Sequence, residues 1–275
     1  MFFDSHAHIN HEEYSPEARA QLARSIELSD VGFVVDVGFD LNSSAQAVAD
    51  AAQYDWCYAA VGVHPHDAAE MNDEILTRIE ALAAAPKVVA IGEIGLDFFR
   101  NISPEDDQRY WFRKQIRLGL KLGLPILIHD RDSAGETIRI LTEEGALSDM
   151  RRSVFPPNPV TGIPDARILL HCYSGTADEA LLLIEQGATI SLAGPVTYKK
   201  NTKTAEVAAR VPLSHLLIET DAPYLSPEPF RGKPNSSPFV VHTAQKIADF
   251  RGVARSEIEE TTCANACRFF GIDRK

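Results

Sequence analysis

Short apolar runs rich in β-branched residues alternate along the whole chain with longer stretches of helical period, eight times over. The runs are Met1 to Phe3, Gly32 to Val37, Tyr58 to Val63, Val88 to Ile91, Pro125 to Ile128, Arg167 to Leu170, Thr189 to Leu192 and Leu216 to Ile218. Such alternation is the pattern of βα units, in which each helix carries the chain back so that the next strand can run parallel to the last. The helical stretches include Pro16 to Leu28, Ser44 to Tyr54, Asp73 to Ala85, Pro104 to Leu122 and Asp178 to Gln186. Ser15 and Ser103 stand as start signals before prolines, and Gly123 and Gly187 as stop signals. Eight units predict an α/β fold closed into a (β/α)8 TIM barrel, with a doubly wound open sheet as the runner-up. With 275 residues, 45% of them hydrophobic, one domain spanning 1–275 is expected.

The charge balance narrows the partners. Twenty-seven basic against 39 acidic residues leave a net charge of −12, so a protein that coats nucleic acid through general basicity is excluded. An anionic substrate can be held only through a local patch or bound cations. The start, MFFDSHAHIN, lacks a positive n-region and an apolar stretch of signal-peptide length, and no run approaches the roughly 18 residues of a spanning helix. A cytoplasmic protein with no membrane segment and reduced thiols is expected. Cys263 and Cys267, four apart in a helical pattern, read as packed thiols rather than half a metal site, since no second Cys/His pair is near. The one compositional break is Met150 to Pro164, with four prolines, which predicts an irregular loop on the N-terminal side of a strand.

Polar residues at the strand ends carry the functional signal. Of nine histidines, His6, His8, His64, His66, His129 and His171 come within a few residues after a strand, as do Asp4, Glu93, Asp97, Asp130 and Asp221. In a barrel all strand C-termini open onto one face, so residues from 6 to 221 are expected to converge. His6 and His8 are spaced i, i+2, which points both imidazoles the same way from a strand. Glu93 follows an apolar run between Gly92 and Gly95, and a carboxylate there can bridge two cations. PILIHDR and ILLHCYSG each end an apolar strand in histidine, at His129 and His171, and LLIETDAPY sets Asp221 at the end of the last strand. Together His6, His8, Glu93, His129, His171 and Asp221 offer four imidazoles and two carboxylates. Left unpaired in a desolvated cleft they would cost on the order of several kcal/mol, and a pair of cations about 3.5–4 Å apart bridged by Glu93 would use them all.

These motifs resemble the TatD-like metal-dependent hydrolases of the amidohydrolase-type barrel superfamily. The matching segments are DSHAH at Asp4, GVHPH at Gly62, GEIGLDFFR at Gly92, IHDRDS at Ile128, HCYSG at His171 and ETDAPYLSPEPFRGKPN at Glu219, in order across nearly the whole chain. The resemblance implies a two-metal phosphoesterase acting on DNA, commonly a 3′→5′ exonuclease; some members are associated with removal of D-amino acids from tRNA. It implies His6, His8, Glu93 and Asp221 around one ion, Glu93, His129 and His171 around the other, and His64 in the same cleft near the scissile group. Two departures are visible: Asn10 stands where members often carry Asp, and the proline-rich insertion lengthens the separation from His129 to His171 to 42 residues.

The expected chemistry is metal-assisted phosphodiester hydrolysis, with Asp221 orienting the water and acting as its base. Arg100, Arg131 and Arg231 follow strand ends and are candidates for phosphate clamps, against the plainer reading of loop salt bridges. Tyr173, Phe98 and Phe99 are candidates for base stacking on a single strand, with core packing favoured for the two phenylalanines. Imidazole-rich sites suit Zn²⁺ or Mn²⁺, whereas the resemblance implies turnover with Mg²⁺. The alternatives are a hydrolase of another ester, lactone or amide, including a D-aminoacyl-tRNA, and a non-enzymatic interaction protein on a retained barrel.

Overall fold

The computed structural model describes residues 1–133 and 135–273. Its strands are β1 (Phe2–Ala7), β2 (Val31–Val37), β3 (Cys57–Val61), β4 (Val88–Asp97), β5 (Ile126–Arg131), β6 (Ile168–Leu170), β7 (Ala188–Leu192) and β8 (Leu216–Ile218). The helices are α1 (Pro16–Glu27), α2 (Leu41–Gln53), α3 (Asp73–Ala83), α4 (Glu105–Leu122), α5 (Glu136–Glu143), α6 (Asp149–Arg152), α7 (Ala177–Glu185), α8 (Thr202–Arg210), α9 (Val240–Arg251) and α10 (Arg255–Phe270). The hydrogen-bonded strand order is β1-β2-β3-β4-β5-β6-β7-β8, the same as the chain order. A doubly wound sheet breaks that order at its switch point, so the fold belongs to the (β/α)8 class.

The chain divides into two compact units. The first holds Met1–Asp36, Cys172–Glu185 and the chain from Thr189 onward. In it β1 pairs parallel with β2, β7 with β8, and the segment after β8 bridges to β1 at Ala7 and Ala222. Its core is aromatic: the Phe3 ring stacks on Phe33 at 5.4 Å and on Phe270 of α10 at 5.7 Å. These offset stacks add to the burial of three large side chains.

The second unit holds Val37–His171 and Gln186–Ala188, with β3, β4, β5 and β6 paired parallel in turn. Ile91, Ile94, Ile126 and Ile128 are fully buried there, as near-continuous apolar strands covered on both faces must be. β4 runs on to Asp97, six residues beyond the apolar run that ends at Ile91. The sequence pattern misses this because Gly92, Glu93 and Gly95 interrupt the hydrophobic residues. Gly95 pairs in register with His129, and at its φ of +154° a Cβ would collide with the His129 carbonyl oxygen, so only glycine lets β4 lie this close to β5.

Local signals act largely as expected. Ser15 caps α1, its Oγ accepting from the Ala18 N–H at 3.2 Å, and Gly123 ends α4 in the left-handed region. Ser103 is a different case. It does not cap α4; its Oγ donates to the His66 carbonyl at 2.6 Å and accepts from the Ala69 N–H at 3.0 Å, fixing the turn after β3.

The proline-rich stretch is irregular from Ser153 onward, but Met150 to Arg152 belong to α6. Phe155 anchors it, with the Arg151 and Arg167 guanidinium carbons 4.5 Å and 4.3 Å from its ring centre. Arg151 Nε also donates to the Ala166 carbonyl at 2.9 Å. Among the described residues no helix is long and apolar enough to cross a membrane. The four cysteines form no disulfide, and Cys263 and Cys267 are buried in α10 as packed thiols.

Candidate metal centre

Each unit carries its own group of converging ligands. In the first unit the end of β1 and the segment after β8 are stitched together: the Asp221 N–H donates to the His6 carbonyl at 2.9 Å and the His8 N–H to the Ala222 carbonyl at 2.8 Å. The strand alternation then brings His6 Nε2 to 3.3 Å from His8 Nε2. Asp221 Oδ1 lies 3.5 Å from His8 Nε2 and 3.9 Å from His6 Nε2. All three side chains are buried. Two imidazole nitrogens this close cannot both carry a proton, so at least one lone pair points into the group beside a carboxylate. That donor set suits a divalent cation.

Neighbouring carboxylates do structural work. Asp4 is fully buried and accepts from the Thr220 N–H at 2.9 Å and its hydroxyl at 2.6 Å; burial outweighs those bonds and pushes its pKa up to about 7. Asp36 Oδ1 accepts from the Ile9 and Asn10 N–H groups at 2.8 Å and 3.1 Å, which sets the chain path just past His8. Glu219 accepts from the Cys172 N–H at 2.7 Å and the Ser191 hydroxyl at 2.5 Å. None of these interactions shows as a motif, because each partner is remote in sequence.

In the second unit one oxygen is the focus. Glu93 Oε1 lies 2.7 Å from His171 Nε2, 2.8 Å from His129 Nδ1 and 3.6 Å from His64 Nε2. Burial pushes the Glu93 carboxyl up, but the facing His171 and His64 imidazoles and the contacts with His129 outweigh it and hold the pKa well below the usual range. Burial also holds the His64 pKa well below its ordinary value, against the pull of the facing Glu93 carboxylate. The Glu93, His64 and His129 donor atoms lie within 4.8 Å of one another, a spacing that can hold an ion.

Asp97 is the residue whose role the sequence left unassigned. Its Oδ2 lies 3.3 Å from His129 Nε2 and 2.9 Å from His66 Nε2, and its Oδ1 accepts from the Arg100 N–H at 2.8 Å. The carboxyl is itself buried, yet those bonds hold it well below the ordinary carboxylate range. An ionised Asp97 accepting a hydrogen bond from the His129 Nε2–H would leave Nδ1, the nitrogen facing Glu93, to offer its lone pair to a bound cation. Asp97→Asn is therefore expected to weaken divalent-metal binding by about 10–100-fold, read by isothermal titration. Unchanged affinity would show that Asp97 does not orient the ring.

The candidate substrate residues divide. Arg100, Arg131 and Arg231 are exposed, and among the described residues none of the three has a carboxylate within ion-pair distance. Arg131 instead lies 4.0 Å over the ring of Phe99, which is 61% exposed, and Arg231 lies 4.4 Å over the Tyr198 ring. Phe99 thus differs from the core residue expected, while Phe98 tucks under Arg109 at 4.9 Å. Tyr173 is less accessible than Phe99. It is 8% exposed and its hydroxyl donates to the Thr176 carbonyl at 3.1 Å.

The family described as TatD related DNase matches residues 3–271. This chain belongs to the TatD family. It is 40% identical, over 99% of its length and 100% of the relative, to YabD, an uncharacterized metal-dependent hydrolase of Bacillus subtilis. It is 33% identical, over 98% of its length and 99% of the relative, to the 3′-5′ ssDNA/RNA exonuclease TatD of Escherichia coli. The crystal structure of the TatD homolog YjjV from Escherichia coli superposes with a TM-score of 0.85 at 27% identity, covering 99% of this chain and 98% of that one. The protein is accordingly a TatD-family metal-dependent hydrolase with the barrel fold of that family.

Proposed function

We propose that this TatD-family hydrolase removes nucleotides from the 3′ end of single-stranded DNA. The observation that carries the reading is Glu93 Oε1, on which three imidazoles converge in a buried setting. His6, His8 and Asp221 would hold one divalent cation and Glu93, His129 and His171 a second. Such ions, when bound, supply positive charge to the phosphate oxygens and lower the pKa of water. Asp221 takes up the proton of the attacking water and His64, kept neutral by burial, donates or accepts a hydrogen bond at the scissile group. Arg100 and Arg131 grip phosphate oxygens, and the exposed Phe99 face, backed by Arg131, offers a stacking surface for a base.

This reading supplies local positive charge where the chain as a whole, at −12, has none to offer. We take residues 1–275 as one hydrolase domain, supported by a family match that runs from residue 3 to 271. Mg²⁺ is the expected ion in turnover, with Zn²⁺ or Mn²⁺ bound more tightly by the imidazoles. Four free thiols, three of them buried, support a reducing, cytoplasmic setting.

The test is to strip the protein with chelator, add back single divalent ions, and resolve the products from 5′- and 3′-labelled single-stranded DNA. Chelation is expected to lower the rate about 100-fold or more, with Mg²⁺ or Mn²⁺ restoring it and mononucleotides released from the 3′ end. Full activity after prolonged chelation would refute the metal mechanism. Cleavage of small carboxyl esters with none of oligonucleotides would move the assignment to an ester hydrolase.

A further inference from the structure

The loops that follow β7 and β8 in the first unit carry a concentration of positive charge at odds with the rest of the chain. Lys199 and Lys200 follow the turn after β7, and Arg231 and Lys233 lie in the loop after β8. All four are exposed, and among the described residues none has a carboxylate within ion-pair distance. Several cations elsewhere are paired: Arg109, Arg113, Arg117, Arg139 and Arg210 each bind one or more carboxylates. In a protein of net charge −12, these two loops together present four exposed cations.

The two loops are joined. The Tyr198 hydroxyl donates to the Ser226 carbonyl at 2.9 Å, and the Glu228 N–H donates to the Thr197 hydroxyl at 2.8 Å. Arg231 lies 4.4 Å over the Tyr198 ring, which holds its guanidinium beside the start of the Lys199–Lys200 pair. The β8 loop is in turn pinned around Asp221: the Tyr224 N–H donates to the Asp221 carbonyl at 2.8 Å, and the Asn235 amide donates to the Thr220 and Tyr224 carbonyls at 2.8 Å and 2.7 Å. Glu228 is the acidic residue facing Tyr198 in this region. The cations therefore sit on a braced platform that leads away from a site carboxylate.

We infer that Lys199, Lys200, Arg231 and Lys233 form a track for the phosphates of the uncleaved part of a single-stranded nucleic acid, upstream of the nucleotide being removed. The inference rests on the nuclease reading above. Phosphate contacts of this kind are blind to sequence and add affinity with strand length. They also explain how an acidic enzyme retains a polyanion between successive cuts: the repulsion of the whole surface is countered along one path.

The experiment compares two substrates, a 20-nucleotide single-stranded DNA and the small diester bis(p-nitrophenyl) phosphate, with the metal-loaded full chain. The triple substitution Lys199→Gln, Lys200→Gln, Lys233→Gln is expected to lower the ratio of kcat/KM for the oligonucleotide to that for the diester about tenfold or more, through KM. It is also expected to reduce the salt dependence of log kcat/KM on the oligonucleotide by about 2, from roughly 0.7 per phosphate contact on a single strand. A general folding defect lowers both substrates together and leaves the ratio alone. The corresponding triple Lys→Arg variant, which keeps the charge, is expected to hold the ratio near that of the unmodified protein. An unchanged ratio and salt slope in the Gln variant would overturn the track while leaving the nuclease reading intact. Hydrolysis of the diester but not of the oligonucleotide by the unmodified protein would instead overturn the nuclease reading, and the track with it.

Discussion

Glu93→Gln is expected to lower kcat/KM on single-stranded DNA by about 10³-fold or more, with the fold retained. The amide keeps the size of the carboxylate, so β4 and its register with β5 survive. It loses the charge on which His171, His129 and His64 converge, and it turns an N–H₂ donor toward at least one of them. Metal content measured by elemental analysis should fall with the rate, and circular-dichroism melting should show a folded protein. A Gln variant that keeps both its metal and its rate would remove the basis for the two-ion reading.

Asp221→Asn separates proton transfer from structure. Asp221 has a φ of +57°, a region that asparagine tolerates better than most residues, and its backbone N–H bond to the His6 carbonyl is untouched by the change. The variant is expected to fold and melt as the unmodified protein does, yet to lose 10²- to 10⁴-fold in kcat, about the usual contribution of a positioned general base. Undiminished turnover would assign the base elsewhere.

How much of this could be read from residue order depends on the distance over which the determinant acts. The eight strands and the polar residues that close six of them are local patterns, and His6, His8, Glu93, His129, His171 and Asp221 follow from them. The extension of β4 to Asp97 was hidden because two glycines and a glutamate broke the apolar run; what holds the extension is pairing with β5, a contact no window along the chain contains. For the same reason Asp97 could be seen as a strand-end acid but not as the partner of His129 and His66. Tyr173 and Phe99 differ in what covers them: Tyr173 is 8% exposed and its hydroxyl finds the Thr176 carbonyl, whereas Phe99 is 61% exposed. Periodicity reports which way a side chain points, and coverage is decided by the loops that arrive from other units of the repeat.

The clasp of Arg151 and Arg167 on Phe155 has a practical consequence. It secures the root of the inserted segment ahead of β6, while the tip at Val160 to Gly162 stands open to water, with Val160 78% exposed. His171 leaves the same strand at the opposite end. A linker or fluorophore grafted at that tip would be tethered to rigid scaffold yet separated from the chemistry by the length of the strand, which makes it a natural handle for immobilising the enzyme or watching single molecules of it work.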